Sequence, residues 1–144
     1  MTFDPMNDAR PDSRGLLGGL RILIVDDDEP TLHVSRHVLE SEGASVLAAT
    51  SGAEALSLID HECPDAMITD LSMPRIDGFM LVEQLRRRPA STGGLLPVAA
   101  MTARVSDADR TRAFRVGIQA YLVKPVDPAD LVRTVRFLTT AQQH

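Results

Sequence analysis

PDAMITDLSMPRIDG, residues 64–78, decides the fold. A short apolar run, Ala66, Met67, Ile68 and Thr69, ends abruptly in an acid, Asp70. Leu71, Ser72, Met73 and Pro74 follow, and Asp77 with Gly78 closes the loop. An apolar run of this length between turn residues predicts a buried strand. Asp70 then stands where the strand leaves the sheet, the edge at which open α/β sheets bind ligands.

The same alternation extends in both directions. Upstream, RILIV at 21–25 is continuously apolar after its arginine, as expected for a strand covered on both faces. It ends in Asp26, Asp27 and Asp28. Asp28 is a natural N-cap, and Glu29 and Pro30 suit a first helical turn. That helix runs to about Glu42, with Leu32, Val38 and Leu39 inward, and stops at Gly43. SVLAA at 45–49 is a second strand, and Ser51 with Glu54 forms a capping box for a helix to about His61.

Downstream of the quoted stretch, FMLVEQLRRR offers Phe79, Leu81, Val82 and Leu85 to a core and is stopped by Pro89. Residues 90–94 read as a loop. LLPVAAM at 95–101 is a fourth strand with its proline early, and it leads into Thr102. Ser106 and Asp109 cap a helix expected to rest on Ala113, Phe114 and Val116. QAYLV at 119–123 is a fifth strand ending at Lys124 and Pro125. Asp127, Pro128 and Asp130 open a last helix carrying Leu131, Val132, Val135 and Leu138.

Alternating strand–helix units predict an α/β fold, a five-stranded parallel doubly wound sheet with five helices. In so short a chain this is the flavodoxin-like class, strand order 2-1-3-4-5. The expected organisation is a flexible leader or linker remnant at 1–19, one domain at 20–141, and a frayed C-terminus at 142–144.

Composition narrows the function. A chain of 144 residues suits one core. No apolar run approaches the roughly 20 residues of a membrane helix, and the N-terminus carries acids and prolines where a signal peptide would be apolar. A cytoplasmic location without membrane insertion is the expectation. A net charge of −5 argues against a nucleic-acid surface. Arg86, Arg87 and Arg88 form the one basic cluster and read as a solvated helix end. Cys63, the single cysteine, is assigned no role. His33 and His37, at i and i+4, lack a third zinc ligand and read as solvated helix positions.

Lysine usage is more pointed. Of 15 basic residues only Lys124 is lysine. It is a compact point charge kept in a chain that otherwise uses the planar arginine fork.

In a parallel sheet all strand C-termini share one edge. There the sequence delivers Asp26 and Asp27, Asp70, Thr102 and Lys124, whereas the second strand ends without charge. Two like charges 4 Å apart repel by about 4 kcal/mol at an effective dielectric near 20. Crowded carboxylates therefore require a proton or a cation, and Mg²⁺ with oxygen ligands is the natural counterion. A carboxylate beside Mg²⁺, a lysine and a hydroxyl is equipped for phosphoryl transfer to an aspartate. Singly, Asp26 or Asp28 reads as a cap, Thr102 as a loop hydroxyl and Lys124 as a surface lysine. Four strand ends meeting at one edge favour the joint reading.

IVDDDEP, MITDLSMPRIDG, VAAMTA and YLVKPV resemble the motifs of the receiver domain of bacterial two-component response regulators, of chemotaxis-regulator type. The resemblance covers roughly residues 20–141. It implies that Asp70 is the phosphorylation site, taking a phosphoryl group from a histidine of a sensor kinase or histidine phosphotransfer protein. It implies Mg²⁺ held by Asp27, Asp70 and the main-chain carbonyl of Ser72, with Asp26 assisting through water. Lys124 is expected to pair with Asp70 or the phosphoryl group, and the Lys124–Pro125 peptide to be cis. Thr102 and Tyr121 occupy the switch positions, and the face of the fourth helix, fifth strand and fifth helix is expected to engage a downstream protein or a second copy. Ser72 and Arg104 flank the route of attacking water, the serine leaving it open and the arginine covering it, and are expected to tune lifetime. Such a domain catalyses only its own phosphorylation and dephosphorylation. No effector follows in the sequence, so a stand-alone regulator and the receiver of a hybrid kinase are both expected possibilities.

Two other classes compete. A haloacid-dehalogenase-like phosphatase would use Asp26 and Asp28, but its late acidic pair is met only by Asp127 and Asp130 in a helix start, and Asp70 stays unexplained. A degenerate receiver serving only for docking would lack a site residue, and none is missing.

Overall fold

The computed structural model describes residues 15–141. The expected leader over 1–14 and frayed end over 142–144 lie outside the described residues.

Five parallel strands form one sheet: β1 (Arg21–Val25), β2 (Ser45–Ala49), β3 (Ala66–Thr69), β4 (Val98–Thr102) and β5 (Ala120–Val123), in the order β2-β1-β3-β4-β5. The helices between them are α1 (Glu29–Ser41), α2 (Gly52–Glu62), α3 (Gly78–Arg86), α4 (Asp107–Val116) and α5 (Pro128–Ala141), with one 3-10 turn at Ala90–Thr92. Helices α1 and α5 pack together on one side of the sheet, and α2, α3 and α4 succeed each other on the opposite side. The doubly wound sheet expected from the sequence is the sheet observed.

Burial explains the strand sequences. All four residues of β3 are buried, as the central strand must be when helices cover both faces. Leu23, Val25 and Met67 face the α2–α3–α4 core, while Ile22, Ile24 and Ile68 face the α1–α5 core. Each helix begins on a side-chain cap where the chain turns away from the sheet. Asp28 accepts from the Thr31 N–H, Ser51 from Glu54 and Ser106 from Asp109. Asp77 caps α3 by accepting from Met80. The Glu54 carboxylate closes its box on the Thr50 N–H at 2.8 Å, one residue upstream of the cap.

The register aims the functional edge. Val25 pairs with Thr69, and Thr102 pairs with Val123. The ladder continues one residue past three strands: Asp26 N–H donates to Ala49 O, Asp70 N–H to Val25 O, and Lys124 N–H to Thr102 O. Backbone hydrogen bonds thus fix the three charged residues before their side chains make any contact.

Several details depart from the sequence reading. β4 begins at Val98 rather than at 95, because Leu96 N–H turns back to Gly93 O and Leu95 stands 67% exposed. Phe114 is exposed: α4 buries only Ala113 fully, since that helix meets α3 through a narrow stripe. Arg86 is not a solvated helix end. Its guanidinium is half-buried and donates to Gly117 O at 2.7 Å, Leu96 O at 2.7 Å and Gly94 O at 3.1 Å, and burial lowers its pKa. It ties the end of α3 to the start of β4 and the end of α4. Arg88 pairs with Asp60 at 2.6 Å. Within the stretch assigned to the leader, residues 16–19 form a turn, and Leu17 is fully buried in the α1–α5 core.

Candidate functional site

The cleft lies at the C-terminal edge of β1, β3, β4 and β5, where the register brings the charged residues. Oxygens of Asp26, Asp27 and Asp70 lie within 4.8 Å of one another. Asp26 is fully buried, Asp70 is 7% exposed and Asp27 is exposed, so the cluster opens to solvent on the Asp27 side. Lys124 Nζ donates to Asp26 Oδ2 at 2.7 Å and to Asp70 Oδ2 at 2.9 Å. The other oxygens of these acids are also held. Asp26 Oδ1 accepts from the Asp28 N–H at 2.9 Å, and Asp70 Oδ1 accepts from the Ser72 N–H at 3.1 Å.

The electrostatics follow from this geometry. Burial pushes the Asp26 carboxyl above the usual carboxylate range, and the hydrogen bonds from Lys124 and from the Asp28 N–H pull partly against it. Burial alone would lower Lys124, but its bonds to Asp26 and Asp70 outweigh that effect and hold the ammonium above its ordinary value. Lys124 is therefore a permanent cation in the cleft. Three carboxyl groups share this single ammonium, which pairs with Asp26 and Asp70.

That residue set suits a hard divalent cation. All donors are oxygens, and the Asp27 carboxylate has no hydrogen bond or ion pair among the described residues. An exposed, unpartnered carboxylate beside two buried acids is the arrangement expected where an ion supplies the missing positive charge.

The loop after β3 is built tightly against Asp70. Gly78, the first residue of α3, lies so close that a Cβ there would sit 2.2 Å from the Asp70 carbonyl oxygen and 2.9 Å from Leu71 Cα. Arg75 within this loop adopts φ 68°, in the left-handed region that non-glycine residues rarely occupy. The Lys124–Pro125 peptide is cis.

Thr102 and Tyr121 converge on the residue between them and the cleft mouth. Thr102 is fully buried, and its Oγ1 accepts from the Arg104 N–H at 3.3 Å. The Tyr121 hydroxyl donates to Arg104 O at 3.1 Å, and burial, then the charge of Asp109, raises its pKa. The Arg104 side chain reaches across to Ser72, Nε to Oγ at 2.8 Å, and pairs with Asp109 at 3.1 Å. Its guanidinium lies 5.8 Å from the Phe79 ring centre, with Arg112 over the same ring at 4.1 Å and Arg110 over Tyr121 at 4.8 Å.

Asp26, Asp27, Asp70 and Lys124 thus come together, Ser72 joins them through its N–H on Asp70, and Arg104 links Ser72 to the buried Thr102. Tyr121 is half-buried and bonded to Arg104 O, and His33 and His37 are exposed on α1. Ser72 and Arg104, both expected to tune lifetime, are joined by a hydrogen bond. Asp109 partners the Ser106 cap, as its spacing predicts. Its second role, anchoring Arg104 five residues upstream, has no periodic signal.

The family model described as response regulator receiver domain matches residues 22–136. An uncharacterised 14.6 kDa protein of Leptolyngbya boryana is 44% identical over 120 residues, covering 83% of this chain and 90% of that protein. Response regulator MprA of Mycobacterium sp. (strain KMS) is 41% identical over 119 residues, covering 83% of this chain and 50% of that protein, so the chain spans half the length of that relative. Among solved structures, the receiver domain of sensor histidine kinase PA1611 from Pseudomonas aeruginosa is similar with TM-score 0.77 and 28% identity, over 85% of this chain and 99% of that one. That structure has a magnesium ion coordinated in its active-site cleft.

Proposed function

The chain belongs to the response regulator receiver family, and from that premise we propose that it is the phosphoacceptor of a two-component phosphorelay. The observation that carries the reading is Asp70. It is a nearly buried carboxylate with one oxygen on Lys124 and the other on a backbone N–H, beside the unpartnered carboxylate of Asp27.

In this reading an Asp70 oxygen attacks the phosphorus of a phosphohistidine on a sensor kinase or histidine phosphotransfer protein. The P–N bond breaks, the imidazole leaves with its electron pair, and an aspartyl phosphate forms. Asp26, Asp27, Asp70 and the Ser72 carbonyl would hold Mg²⁺, with Asp26 acting through water. When bound, the ion neutralises charge on the phosphoryl oxygens. Lys124, already charged and aimed at Asp70, supplies the second cation at that position. The Thr102 hydroxyl leaves the Arg104 N–H to donate to a phosphoryl oxygen. The Tyr121 ring turns inward as its bond to Arg104 O is given up, and the α4–β5–α5 face changes its affinity for a downstream protein or a second copy. This is a two-state population shift biased by the phosphoryl group. The chemistry is confined to the domain's own phosphorylation and dephosphorylation. A bacterial cytoplasmic setting, as a stand-alone regulator or as the receiver of a hybrid kinase, completes the proposal.

The test is uptake of phosphate from a small phosphodonor in the presence of Mg²⁺, followed by intact mass. One phosphoryl group per chain is expected, without sustained turnover of phosphate monoesters. Sustained turnover would instead support a phosphatase.

Two variants probe individual roles. Asp27→Asn removes a charged oxygen ligand and is expected to weaken Mg²⁺ binding by about tenfold or more, read from amide shifts during a magnesium titration. Unchanged affinity would remove Asp27 from the ligand set. Arg104→Ala severs the link to Ser72 and opens the cleft mouth to water. A lost charged hydrogen bond of about 1 kcal/mol corresponds to roughly fivefold faster decay of the aspartyl phosphate. Single-turnover loss of the label measures it, and a longer lifetime would show that Arg104 does not shield the site.

A further inference from the structure

Arg104 is held from more directions than a solvent-facing arginine. Its main chain is fixed between the two switch positions: the N–H donates to Thr102 Oγ1 at 3.3 Å, and the carbonyl accepts from the Tyr121 hydroxyl at 3.1 Å. Its guanidinium then bridges two elements. Nε donates to Ser72 Oγ at 2.8 Å in the loop after β3, and Nη1 donates to Asp109 Oδ1 at 3.1 Å in the first turn of α4. The planar fork fixes both bonds in one geometry, which the flexible ammonium of a lysine does not.

Asp109 is free for this contact. Its part in the cap is played by the main chain, whose N–H donates to Ser106 Oγ at 3.0 Å, so the carboxylate is not spent there. Among the described residues that carboxylate makes no other hydrogen bond or ion pair. Arg112 is its neighbour three residues along α4, yet the Arg112 guanidinium lies over the Phe79 ring at 4.1 Å. Phe79 is fully buried at the start of α3, and Arg104 lies 5.8 Å from the same ring centre. Arg112 takes the ring more closely and leaves Asp109 to Arg104.

This latch ends beside the nucleophile. The Ser72 N–H donates to Asp70 Oδ1 at 3.1 Å, so a guanidinium seated on the Ser72 hydroxyl stands next to the residue that holds Asp70. Loss of a phosphoryl group from Asp70 requires water. The water oxygen bonds to phosphorus, the P–O bond to Asp70 breaks, the carboxylate leaves with the electron pair, and the water protons pass to the departing phosphate and to solvent. An arginine fixed on Ser72 obstructs that approach, whereas an unanchored one spreads over many rotamers.

We propose that Asp109 is a positioning residue for the lifetime of the aspartyl phosphate: its carboxylate holds the Arg104 guanidinium on Ser72, where it shields the phosphorus from water. The role rests on the phosphoacceptor reading of Asp70. Because Asp109 rides on α4, the position of that helix sets how firmly the shield is held.

The test is single-turnover decay of the aspartyl phosphate on the full chain, with thermal unfolding recorded for each variant. Asp109→Ala is expected to speed decay about threefold, the scale of a partly exposed ion pair converted to a rate. Its melting temperature should change little, because the cap uses the main chain. Asp109→Glu, which keeps the carboxylate, should restore most of the lifetime. Asp109→Ala combined with Arg104→Ala should decay no faster than Arg104→Ala alone, since residues acting through one contact are not additive. Equal lifetimes for Asp109→Ala and the unsubstituted chain, a longer lifetime, or effects that add to those of Arg104→Ala would overturn the proposal. The Arg104 Nε–H signal reads the latch without phosphate: Asp109→Ala should shift it and speed its exchange with water, and an unchanged signal would likewise overturn the proposal. Absence of phosphoryl uptake by the unsubstituted chain is a distinct result, which overturns the phosphoacceptor reading and the lifetime role with it.

Discussion

Asp70→Asn is expected to abolish phosphoryl uptake while leaving the fold intact. An amide at this position is a poor nucleophile, and no neighbour replaces it. Asp26 is fully buried and engaged with Lys124 and the Asp28 N–H, and Asp27 lies on the solvent side of the cluster. A fall of on the order of 10³-fold or more in uptake rate is the scale for loss of a nucleophile. Stability should move little or rise. The substitution removes one charge from a group of acids whose pairwise repulsion at 4 Å is about 4 kcal/mol at an effective dielectric near 20. Lys124 keeps its bond to Asp26. Thermal unfolding together with intact mass after incubation with phosphodonor measures both quantities. A variant that still takes up one phosphoryl group per chain would place the nucleophile elsewhere.

Gly78→Ala is expected to be the most damaging single methyl added to this chain near the site. At a first helical position alanine would ordinarily help by up to about 1 kcal/mol, because glycine is the poorer helix former. Here the added Cβ would sit 2.2 Å from the Asp70 carbonyl oxygen and 3.0 Å from its carbonyl carbon, both backbone atoms that cannot rotate away. Relief requires moving the end of β3 or the start of α3. Overpacking of this severity costs about 3 kcal/mol, roughly 10 °C in melting temperature for a domain of this size. The shift falls on the nucleophile's own peptide, so uptake per folded molecule should drop as well. Gly94→Ala is the control, since its Cβ would lie 2.0 Å from Arg88 O, remote from the cleft. It should destabilise comparably and leave uptake per folded molecule unchanged. If Gly78→Ala were neutral or stabilising, the close approach of α3 to Asp70 would be wrong.

Local chemistry makes the architecture legible in the sequence. Continuous apolar runs marked strands covered on both faces, and Asp28, Ser51 and Ser106 announced their helices because a cap is a contact over three residues. Strand ends named Asp26, Asp27, Asp70, Thr102 and Lys124 because parallel topology sends every strand C-terminus to one edge. The details that escaped are those decided by distant partners. Arg86 looked like a solvated helix end, yet its guanidinium is spent on the carbonyl of Gly117, 31 residues away. Phe114 has the hydrophobicity of a core residue, but only a narrow stripe of α4 meets α3, and the ring is 52% exposed. Leu17 sits among glycines that suggest a linker, and its burial depends on the end of α1. The division of Lys124 between Asp26 and Asp70, and the reach of Arg104 to Ser72, are likewise three-dimensional facts with no one-dimensional spacing behind them.

Mapping the phosphoryl adduct tests the central claim most directly. The protein is incubated with Mg²⁺ and a small phosphodonor, the acyl phosphate is trapped by reduction, and the proteolytic peptides are sequenced by mass spectrometry. The account predicts a single modified residue, Asp70, in the peptide running from β3 into α3. Modification at Asp26, Asp27 or Asp28 in the peptide following β1 would contradict it.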